Sequence, residues 1–416
     1  MTTVIPAASV EPEDARVPLR VWTGTSSLLF VRVLATLASF AALALLARTL
    51  DGETFGKLTF YLAALLFLES LVDAGTSTAA IQRGAHDEGA LASCVAAGRS
   101  VRAGAALLGC LALTSFAALQ GEPGLGWIAL ATLLPLTRTL ELSAVVFHAR
   151  IQWRLPALVR AAAAMARLAA VLALWAAGVR GFGPYLLAHA AVGAAGNVVL
   201  FFLAAPLLPR GAPPAAGFLR LALPLAAIGI AQQAYFYADN LVVRAVLGDT
   251  PLGRYNAAMR LFSFLVVFAA LASSTALPWL ARRARAGDLG RAATRLALPL
   301  FLGAACLLAP LLPLADELLI VLFGAEFAEA APSLRWLLAA AAVVYAGAAP
   351  LTAVLAAGRT RSLLAIVLAG LALNVAGNLW LVPELGIEGA AVATFATELF
   401  VALGSVCVLA GGRASA

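Results

Sequence analysis

Charged residues are scarce in this chain and make up only 12% of its 416 residues. Soluble domains are roughly a quarter charged, whereas here 63% of the residues are hydrophobic and the mean hydropathy is +0.96. The composition therefore excludes an ordinary soluble protein and predicts an integral membrane protein. The apolar runs are long rather than short and alternating, which excludes a transmembrane β-barrel and predicts a bundle of α-helices.

Motifs for metal, cofactor or nucleotide chemistry are also missing. The three histidines are dispersed, and the four cysteines are scattered in or at the ends of apolar spans, so neither a metal centre nor a disulfide framework is predicted. The stretch "GETFGKL" has one residue too few between its glycines for a phosphate-binding loop and lacks the Ser or Thr after its lysine. We expect no cofactor, no metal and no ATP-driven pumping by this chain alone. The connections between apolar runs leave no room for a catalytic domain, so we do not expect an enzyme.

The formal net charge of +7 does not indicate nucleic-acid binding. The basic residues lie in short loops between apolar runs, where lipid head groups and insertion topology explain them. When the loops are numbered alternately with the N-terminus inside, sixteen basic residues fall inside and six outside. The positive-inside rule therefore predicts that both termini are cytoplasmic.

A membrane-spanning helix takes roughly 20 predominantly apolar residues, and about twelve windows of the sequence qualify. They begin near Gly24, Lys57, Ala92, Leu125, Leu155, Phe182, Leu219, Arg254, Arg295, Leu334, Ser362 and Gly386. The first window is predicted to be a retained span, because its apolar run is too long for a signal peptide and the tail before it is acidic. Residues 316–333 are predicted to form a short amphipathic excursion on the outside.

The two halves of the chain resemble each other at an offset of 197 residues. Gly56 matches Gly253, Lys57 matches Arg254, and "TSTA" at 76–79 matches "SSTA" at 273–276. A repeat of six helices keeps its orientation, so the halves are predicted to be related by a pseudo-two-fold axis along the membrane normal. We predict a cytoplasmic tail (1–21), an N-terminal six-helix lobe (22–210), a C-terminal six-helix lobe (211–411) and a second tail (412–416).

Ionisable residues inside the predicted spans are the strongest functional signal. Such a residue costs at least about 2.5–3.5 kcal/mol on insertion scales, so it usually faces a cavity or a partner. The residues concerned are Arg32, Glu69, Asp73, Arg138, Glu141, Arg167, Asp239, Arg260 and Glu398. Two further arginines, Arg99 and Arg102, are expected instead to extend to the inner membrane surface.

With a rise of about 1.5 Å per residue, Arg32 and Asp73 lie at similar depths in the membrane. Asp239 and Arg260 also lie at similar depths, so we predict an ion pair in each case. A third pair is expected between Arg138 and Glu141, three residues apart on one helix. Whether these pairs only hold helices together or belong to a transport cavity stays open at this level.

Arg167 has no obvious partner and lies near the middle of its span, so it is the candidate for contacting an anionic substrate. Arg138 is a second candidate. Asp73 and Asp239 are candidates for coupling transport to an ion gradient.

The stretch "AQQAYFYADNLVVRAV" (231–246) carries an unusual number of polar residues for a membrane span. At 100° per residue, its polar side chains occupy two broad arcs and leave only a narrow apolar side. We therefore predict that this helix is a cavity wall, with Asp239 near Arg260 or an ion and Arg244 at the outer interface.

Three stretches resemble bacterial polysaccharide flippases of the multidrug/oligosaccharidyl-lipid/polysaccharide exporter superfamily. "FVRVLATLASFAALALLARTLDGETFGKLTFYLAALLFLESLVDAGTSTAAIQRG" is similar to the first two helices of that family. "YFYADNLVVRAVLGDTPLGRYNAAMRL" is similar to its seventh and eighth, and "GRTRSLLAIVLAGLALNVAGNLWLVPELGIEGAAVAT" to its eleventh and twelfth.

The resemblance implies an all-α protein with twelve transmembrane helices in two six-helix lobes. It also implies a substrate, an undecaprenyl-diphosphate-linked oligosaccharide moved from the inner to the outer leaflet by alternating access, and it places Arg32, Asp239, Asn240 and Arg260 in the cavity. Membrane lipids are expected partners, H⁺ or Na⁺ are the candidate coupling ions, and the protein is expected to act as a monomer. Two alternatives stay open, namely a drug or organic-cation antiporter of the same superfamily and a membrane polysaccharide polymerase or ligase.

Overall fold

The computed structural model describes residues 17–150, 152, 154–208, 213–285 and 288–411. Side chains are described in these ranges except at 17–30, 32, 85, 86, 88, 228, 232, 236, 274, 278 and 285. The side chain of the predicted cavity residue Arg32, the predicted lobe boundary at 210/211 and the predicted tail 412–416 therefore lie outside the described residues.

Within these ranges the backbone forms sixteen α-helices and no strand. They are α1 (Val17–Thr49), α2 (Gly52–Asp73), α3 (Thr76–His86), α4 (Leu91–Leu119), α5 (Leu125–Leu133), α6 (Arg138–Glu141), α7 (Val145–Ala149), α8 (Arg154–Ala176), α9 (Phe182–Ala204), α10 (Phe218–Leu247), α11 (Asp249–Arg285), α12 (Leu289–Leu308), α13 (Ala315–Leu322), α14 (Ala331–Ala356), α15 (Thr360–Leu385) and α16 (Ile387–Gly411).

Eleven described helical segments are long and apolar enough to cross a membrane. The remaining predicted span is α1, which is 33 residues long and apolar over Val33–Thr49. The prediction of an all-α membrane protein with about twelve spans is confirmed.

Two of the spans are interrupted. The second is divided into α2 and α3 at Ala74 and Gly75, which adopt left-handed backbone conformations with φ of 42° and 67°. A Cβ on Gly75 would lie 2.5 Å from the backbone nitrogen of Ala226, so only glycine lets α10 approach this closely. The fourth span is divided into α5, α6 and α7 by tight turns. One of these contains Pro135, which has no backbone N–H to continue the helix.

The helices form two lobes, α1–α9 and α10–α16. In the first lobe α1 packs on α8 and α8 on α9, and in the second α10 packs on α15 and α15 on α16. The lobes meet where α2 packs against α10 and α11.

The contact between α2 and α11 joins residues that the 197-residue repeat makes equivalent. A Cβ on Gly56 would lie 1.8 Å from the carbonyl oxygen of Asp249, and a Cβ on Gly253 would lie 2.7 Å from the carbonyl oxygen of Gly52. Gly56 is equivalent to Gly253, and Gly52 is equivalent to Asp249, so the two contacts are the same contact with the lobes exchanged. Farther along, Asn256 Nδ2 donates to Thr59 Oγ1 at 3.0 Å, across the same offset. Equivalent residues touch each other only beside a two-fold axis, so the axis runs between α2 and α11.

The predicted excursion at 316–333 is a helical insertion, consisting of α13 and the 3₁₀-helix Ala325–Ala330. Its Phe323 and Phe327 are fully buried and their rings lie 5.8 Å from Phe40 and 5.4 Å from Phe55. Arg48 at the end of α1 donates to the carbonyl of Leu322 at 3.1 Å. We call the end of the molecule that holds α13 and the α1–α2, α4–α5 and α10–α11 connections the outer end, since the arginine distribution predicts that it faces outward.

Candidate functional site

A cavity of about 370 Å³ lies between the lobes, bounded by α1, α2, α8, α9 and α11. We call it the central cavity. Most of its wall is apolar, but four basic side chains reach it: Arg160, Arg167, His189 and Arg260. Among the described residues that line it there is no aspartate or glutamate. The charged side chains that reach the central cavity from the described residues are therefore all basic.

The arginines of α8 occupy one face of that helix. Arg160 and Arg167 are seven residues apart, which is two turns or about 10.5 Å along the axis. Arg160 is 61% exposed and pairs with Glu141 at 2.8 Å. Arg167 forms no ion pair with any described residue, and its buried Nε has no hydrogen-bond partner. This agrees with the observation from the sequence that Arg167 has no obvious partner.

Arg260 on α11 also lines the central cavity and forms no ion pair with a described residue. The predicted pair between Asp239 and Arg260 is wrong, because the two side chains line different cavities. Their similar depths did not make them neighbours, since Asp239 faces the interior of the C-terminal lobe and Arg260 faces the seam between the lobes.

The N-terminal lobe contains a buried charge cluster around Arg102. This side chain is fully buried and donates to Thr76 Oγ1 at 2.8 Å and to Glu141 Oε2 at 3.2 Å. It also bonds the Asp73 carboxylate and, at 2.6 Å, the Ser77 hydroxyl. The expectation that Arg102 extends to the membrane surface is wrong. Arg102 lies eleven residues into α4, about 16 Å along the axis, which is too deep for its side chain to reach the surface.

Arg99 likewise does not extend to the surface, since it donates to Ser143 Oγ at 2.6 Å. The predicted pair between Arg138 and Glu141 is formed at 3.4 Å, and Arg138 also pairs with Glu69 at 3.2 Å. Arg138 does not line the central cavity.

The cluster contains three acids and three arginines, with Arg160 at its edge beside the central cavity. Asp73 lies within it, bonded to Arg102, rather than in a separate ion site. The predicted pair between Arg32 and Asp73 lies outside the described residues, because the side chain of Arg32 does. The cluster pairs Glu69, Asp73 and Glu141 with arginines, so these acids do not oppose the charge of Arg167 in the cavity.

A second, much smaller cavity of about 10 Å³ lies inside the C-terminal lobe. It is lined by Tyr235, Asp239, Met259, Phe262, Asn374, Thr394 and Glu398, and we call it the acidic cavity. Tyr255 Oη donates to Asp239 Oδ2 at 2.6 Å, and Tyr235 Oη donates to Glu398. Neither acid forms an ion pair with a described residue. Its volume is close to what one water molecule or one small cation needs.

The two cavities are related by the internal repeat. Ala42 and Leu62 line the central cavity, and their equivalents 197 residues later, Asp239 and Met259, line the acidic cavity. The two cavities differ in polarity, since basic side chains reach the central cavity and two carboxylates line the acidic cavity.

Helix α10 combines three environments, which agrees with the polar character of its sequence. Asp239 faces the acidic cavity, whereas Asn240 donates to Asp239 Oδ1 at 3.0 Å and borders a groove towards α2 and α4. Arg244 lies at the outer end, as predicted, where it bonds Glu122 and, at 2.7 Å, Asp249. Asn240 therefore does not line the central cavity in this conformation.

Sequence reasoning missed several residues of both cavities. Arg160 is one of the sixteen basic residues that were counted in inner loops, and His189 is one of the three histidines that were considered only as metal ligands. Asn374 and Thr394, which line the acidic cavity, lie in apolar spans four residues from Asn378 and from Glu398. Polar residues at this spacing share one helix face, so the signal was present in the sequence.

Comparisons with known proteins agree with this geometry. Residues 21–283 match the model of a family described as polysaccharide biosynthesis protein, and residues 224–380 match the MatE model. None of the curated proteins matches the chain significantly.

Among solved structures, the lipid II flippase MurJ in an inward closed conformation aligns with a TM-score of 0.73 at 14% identity, over 92% of this chain and 87% of that one. An inward-facing multidrug resistance MATE family transporter of the MOP superfamily aligns with a TM-score of 0.65 at 15% identity, over 94% and 96%. A MOP superfamily transporter from Pyrococcus furiosus, described as having a binding pocket of reverse polarity, gives 0.67 at 13% identity over 95% of both chains. The family model covers more than half of the chain and the solved structures share its fold, so this multi-pass membrane protein belongs to the polysaccharide biosynthesis protein family of the multidrug/oligosaccharidyl-lipid/polysaccharide exporter superfamily, whose members are transporters and flippases.

Proposed function

We propose that the protein is a flippase that moves an undecaprenyl-diphosphate-linked oligosaccharide from the inner to the outer leaflet of a bacterial inner membrane, for surface or exopolysaccharide synthesis. The observation that carries this proposal is the polarity of the central cavity, which presents three arginines and a histidine and, among its described lining residues, no acid. A diphosphate is the anionic part of such a substrate, and arginine binds phosphate oxygens through two parallel hydrogen bonds.

The basic side chains also lie along a path. Arg160 is six residues into α8, about 9 Å from the helix start, and Arg167 is about 20 Å from it. Arg260 faces the same cavity from the other lobe. A diphosphate that enters at Arg160 would exchange it for Arg167 and Arg260 as it moves towards the centre of the membrane. Alternating access would then require the two lobes to separate at the outer end.

The acidic cavity is the proposed coupling site. Two buried carboxylates without a cationic partner among the described residues are costly unless they are neutralised by protons or by a bound cation. A cavity of about 10 Å³ admits H⁺ or Na⁺ but no organic cation. Asp239 keeps the coupling role predicted from the sequence and gains Glu398 as its companion. Asp73 is proposed only as a structural member of the arginine cluster.

The same observation weighs against the first alternative, an antiporter for organic cations. Such a transporter needs acids in the large cavity, whereas here the acids lie in the arginine cluster or in a cavity too small for a drug. The second alternative, a polymerase or ligase, gains no support from the site. We further propose that the lobes comprise residues 22–210 and 211–411 between tails 1–21 and 412–416, that both termini are cytoplasmic and that the protein acts as a monomer.

Deletion of the gene tests the proposal. We expect undecaprenyl-linked oligosaccharide to accumulate in the cytoplasmic leaflet and surface polysaccharide to be lost. Normal surface polysaccharide in a strain without a second flippase would contradict the proposal. Resistance to organic cations that falls on deletion, with normal polysaccharide, would favour the antiporter.

A matched pair of variants tests the site. Arg167→Ala removes a charged contact worth about 1.5–3 kcal/mol, so flipping in proteoliposomes should slow about 10- to 150-fold. Arg154→Ala removes the same charge from the same helix at an exposed position outside the cavity lining and should leave the rate unchanged. If both variants flipped the substrate at equal rates and were present at equal levels, Arg167 would have only a packing role.

A further inference from the structure

A crevice opens between the lobes at the outer end, on the side of α4 and α10. Its outer part has a volume of about 480 Å³ and is bordered by Lys57, Gln120, Glu122, Arg244 and Asp249, together with neighbouring backbone. Two cations and two acids face this space, and they are already paired: Arg244 with Glu122 and Asp249, and Lys57 with Glu53 at the edge of the space. They lie at the level of the helix connections, where lipid head groups meet the hydrocarbon of a bilayer.

An apolar groove of about 350 Å³ lies directly below. It is lined by side chains of α2, α4 and α10: Phe60, Ala63, Ala64, Phe67, Leu113, Phe116, Ala234, Tyr237, Ala238, Asn240 and Leu241. Phe116 and Leu241 border both parts, so the polar and apolar spaces are continuous. We call the whole the outer crevice.

The length of the outer crevice corresponds to one membrane leaflet. Along α2 it runs from Lys57 to Phe67, which is ten residues or about 15 Å. The hydrocarbon core of a bilayer is about 30 Å thick. The whole crevice is thus about half as long as the hydrocarbon core is thick, with a polar part above and an apolar part below. These features match the shape of a single lipid of the outer leaflet.

The repeat shows that the crevice is not a necessary consequence of the fold. Its counterpart on the opposite side lies among α1, α11 and α12, and there the insertion with α13 fills the space with Phe323 and Phe327. In the N-terminal lobe the equivalent connection is short, since α4 ends at Leu119 and α5 begins at Leu125. One side is filled by protein and the other is left open.

From these features we propose that the outer crevice binds one zwitterionic phospholipid of the outer leaflet, with phosphatidylethanolamine-type chemistry, as a bridge between the lobes. The head group would join this network of ion pairs without changing its net charge, with its phosphate near Lys57 and its ammonium near Glu122 and Asp249. An anionic lipid would add negative charge where, with Glu53, the acids already outnumber the cations. The lipid tail would fill the apolar groove between α2 and α10. This site is separate from the central cavity and does not depend on which substrate the protein carries.

Native mass spectrometry of the full chain in mild detergent tests the proposal. After delipidation, dioleoyl-phosphatidylethanolamine and dioleoyl-phosphatidylglycerol are added back in equal amounts. We expect one tightly retained lipid with a preference for phosphatidylethanolamine of about fivefold, the factor that one charge contributes near a lipid head group. Ala234→Trp fills the groove and should abolish this retention, while Lys57→Ala should lower the retained fraction about fivefold.

The matched control is Ala195→Trp, which adds the same side chain at an exposed position on α9. Size-exclusion profiles establish that each variant is folded, and Lys57→Ala provides a second measurement if Ala234→Trp is not. Equal retention in Ala234→Trp and Ala195→Trp would overturn the proposal. Preferential retention of phosphatidylglycerol, or copurification of a polyprenyl diphosphate in place of the phospholipid, would overturn it as well.

Discussion

Replacing Gly56 by alanine tests the close contact between the lobes at the outer end. The added Cβ would lie 1.8 Å from the carbonyl oxygen of Asp249, which is backbone and cannot rotate away. A carbon and a carbonyl oxygen in contact are normally about 3.3 Å apart or more. Helices α2 and α11 would therefore have to separate by about 1.5 Å, and the hydrogen bond from Asn256 to Thr59 would lengthen with them.

Such overpacking typically costs about 1–3 kcal/mol. The penalty applies only to the conformation in which α2 and α11 touch, so it shifts the balance towards an open outer end. Since 1.4 kcal/mol is a factor of ten, the ratio of closed to open molecules should fall about 5- to 150-fold. For Gly253→Ala the closest approach is 2.7 Å, so the same shift should be smaller.

Double electron–electron resonance measures the distance between two spin labels and so reports this shift from closed to open molecules. The labels are placed on cysteines at Gln120 and Glu326, which are exposed in the two lobes, in a variant without the four native cysteines. We expect the wild-type protein to show a short distance and Gly56→Ala to show a longer population.

Gly126→Ala is the control, because a Cβ at that position meets nothing within 4 Å. The control should keep the wild-type distances and gain up to about 1 kcal/mol of helix stability. If Gly56→Ala and Gly126→Ala gave the same distribution, the reasoning about the interlobe contact would be refuted.

Three further substitutions have outcomes that follow from the contacts. Arg102→Ala leaves buried carboxylates without their cation and should destabilise the protein by about 3–5 kcal/mol, measured by thermal unfolding in detergent; an unchanged melting temperature would contradict the described cluster. Asp51 caps α2, and the hydrogen bond from the backbone N–H of Thr54 lowers its pKa below the ordinary value of 3.8. This stabilisation is complete above about pH 3.8 and is lost as the pH falls through the lowered pKa. Asp51→Ala should cost about 1 kcal/mol at neutral pH, and unfolding at neutral and acidic pH should show the cost disappearing in acid. Arg244→Gln removes the ion pair that joins α10 to Glu122 and should raise the open population in the spin-label experiment, whereas unchanged distances would show that this pair does not hold the lobes together.

The opposite polarity of the two cavities explains why the sequence left two transport functions open. A count of ionisable residues inside the spans gave nearly equal numbers of arginines and acids, which suits neither an anion site nor a cation site. In the folded chain Glu69 and Glu141 are paired with arginines, and Asp239 and Glu398 face a separate small cavity. The basic lining of the central cavity is therefore apparent only once the structure shows which acids are paired and which cavity each side chain faces.

Individual pairings were the least predictable feature. The depth of a residue follows from its position in a span, and on that basis Asp239 and Arg260 were suitable partners. Many side chains share any given depth in a bundle of twelve helices, however, and depth does not say which helices are neighbours. The expectation that Arg102 reaches the membrane surface was wrong for a different reason. Its position in the sequence alone already placed it about 15 Å inside its span.

The sequence by itself determined that the chain crosses a membrane about twelve times, that its halves repeat at an offset of 197 residues, and that α10 carries an unusual number of polar side chains for a membrane span. These properties follow from the length and composition of local segments, which the chain carries whatever its neighbours are. Only the tertiary structure decided that Arg102 neutralises Asp73, that Arg167 and Arg260 share a cavity without acids among its described lining, and that α13 fills one of two equivalent crevices. Those outcomes depend on how helices distant in sequence pack together, and small steric details such as the missing Cβ of Gly56 determine that packing.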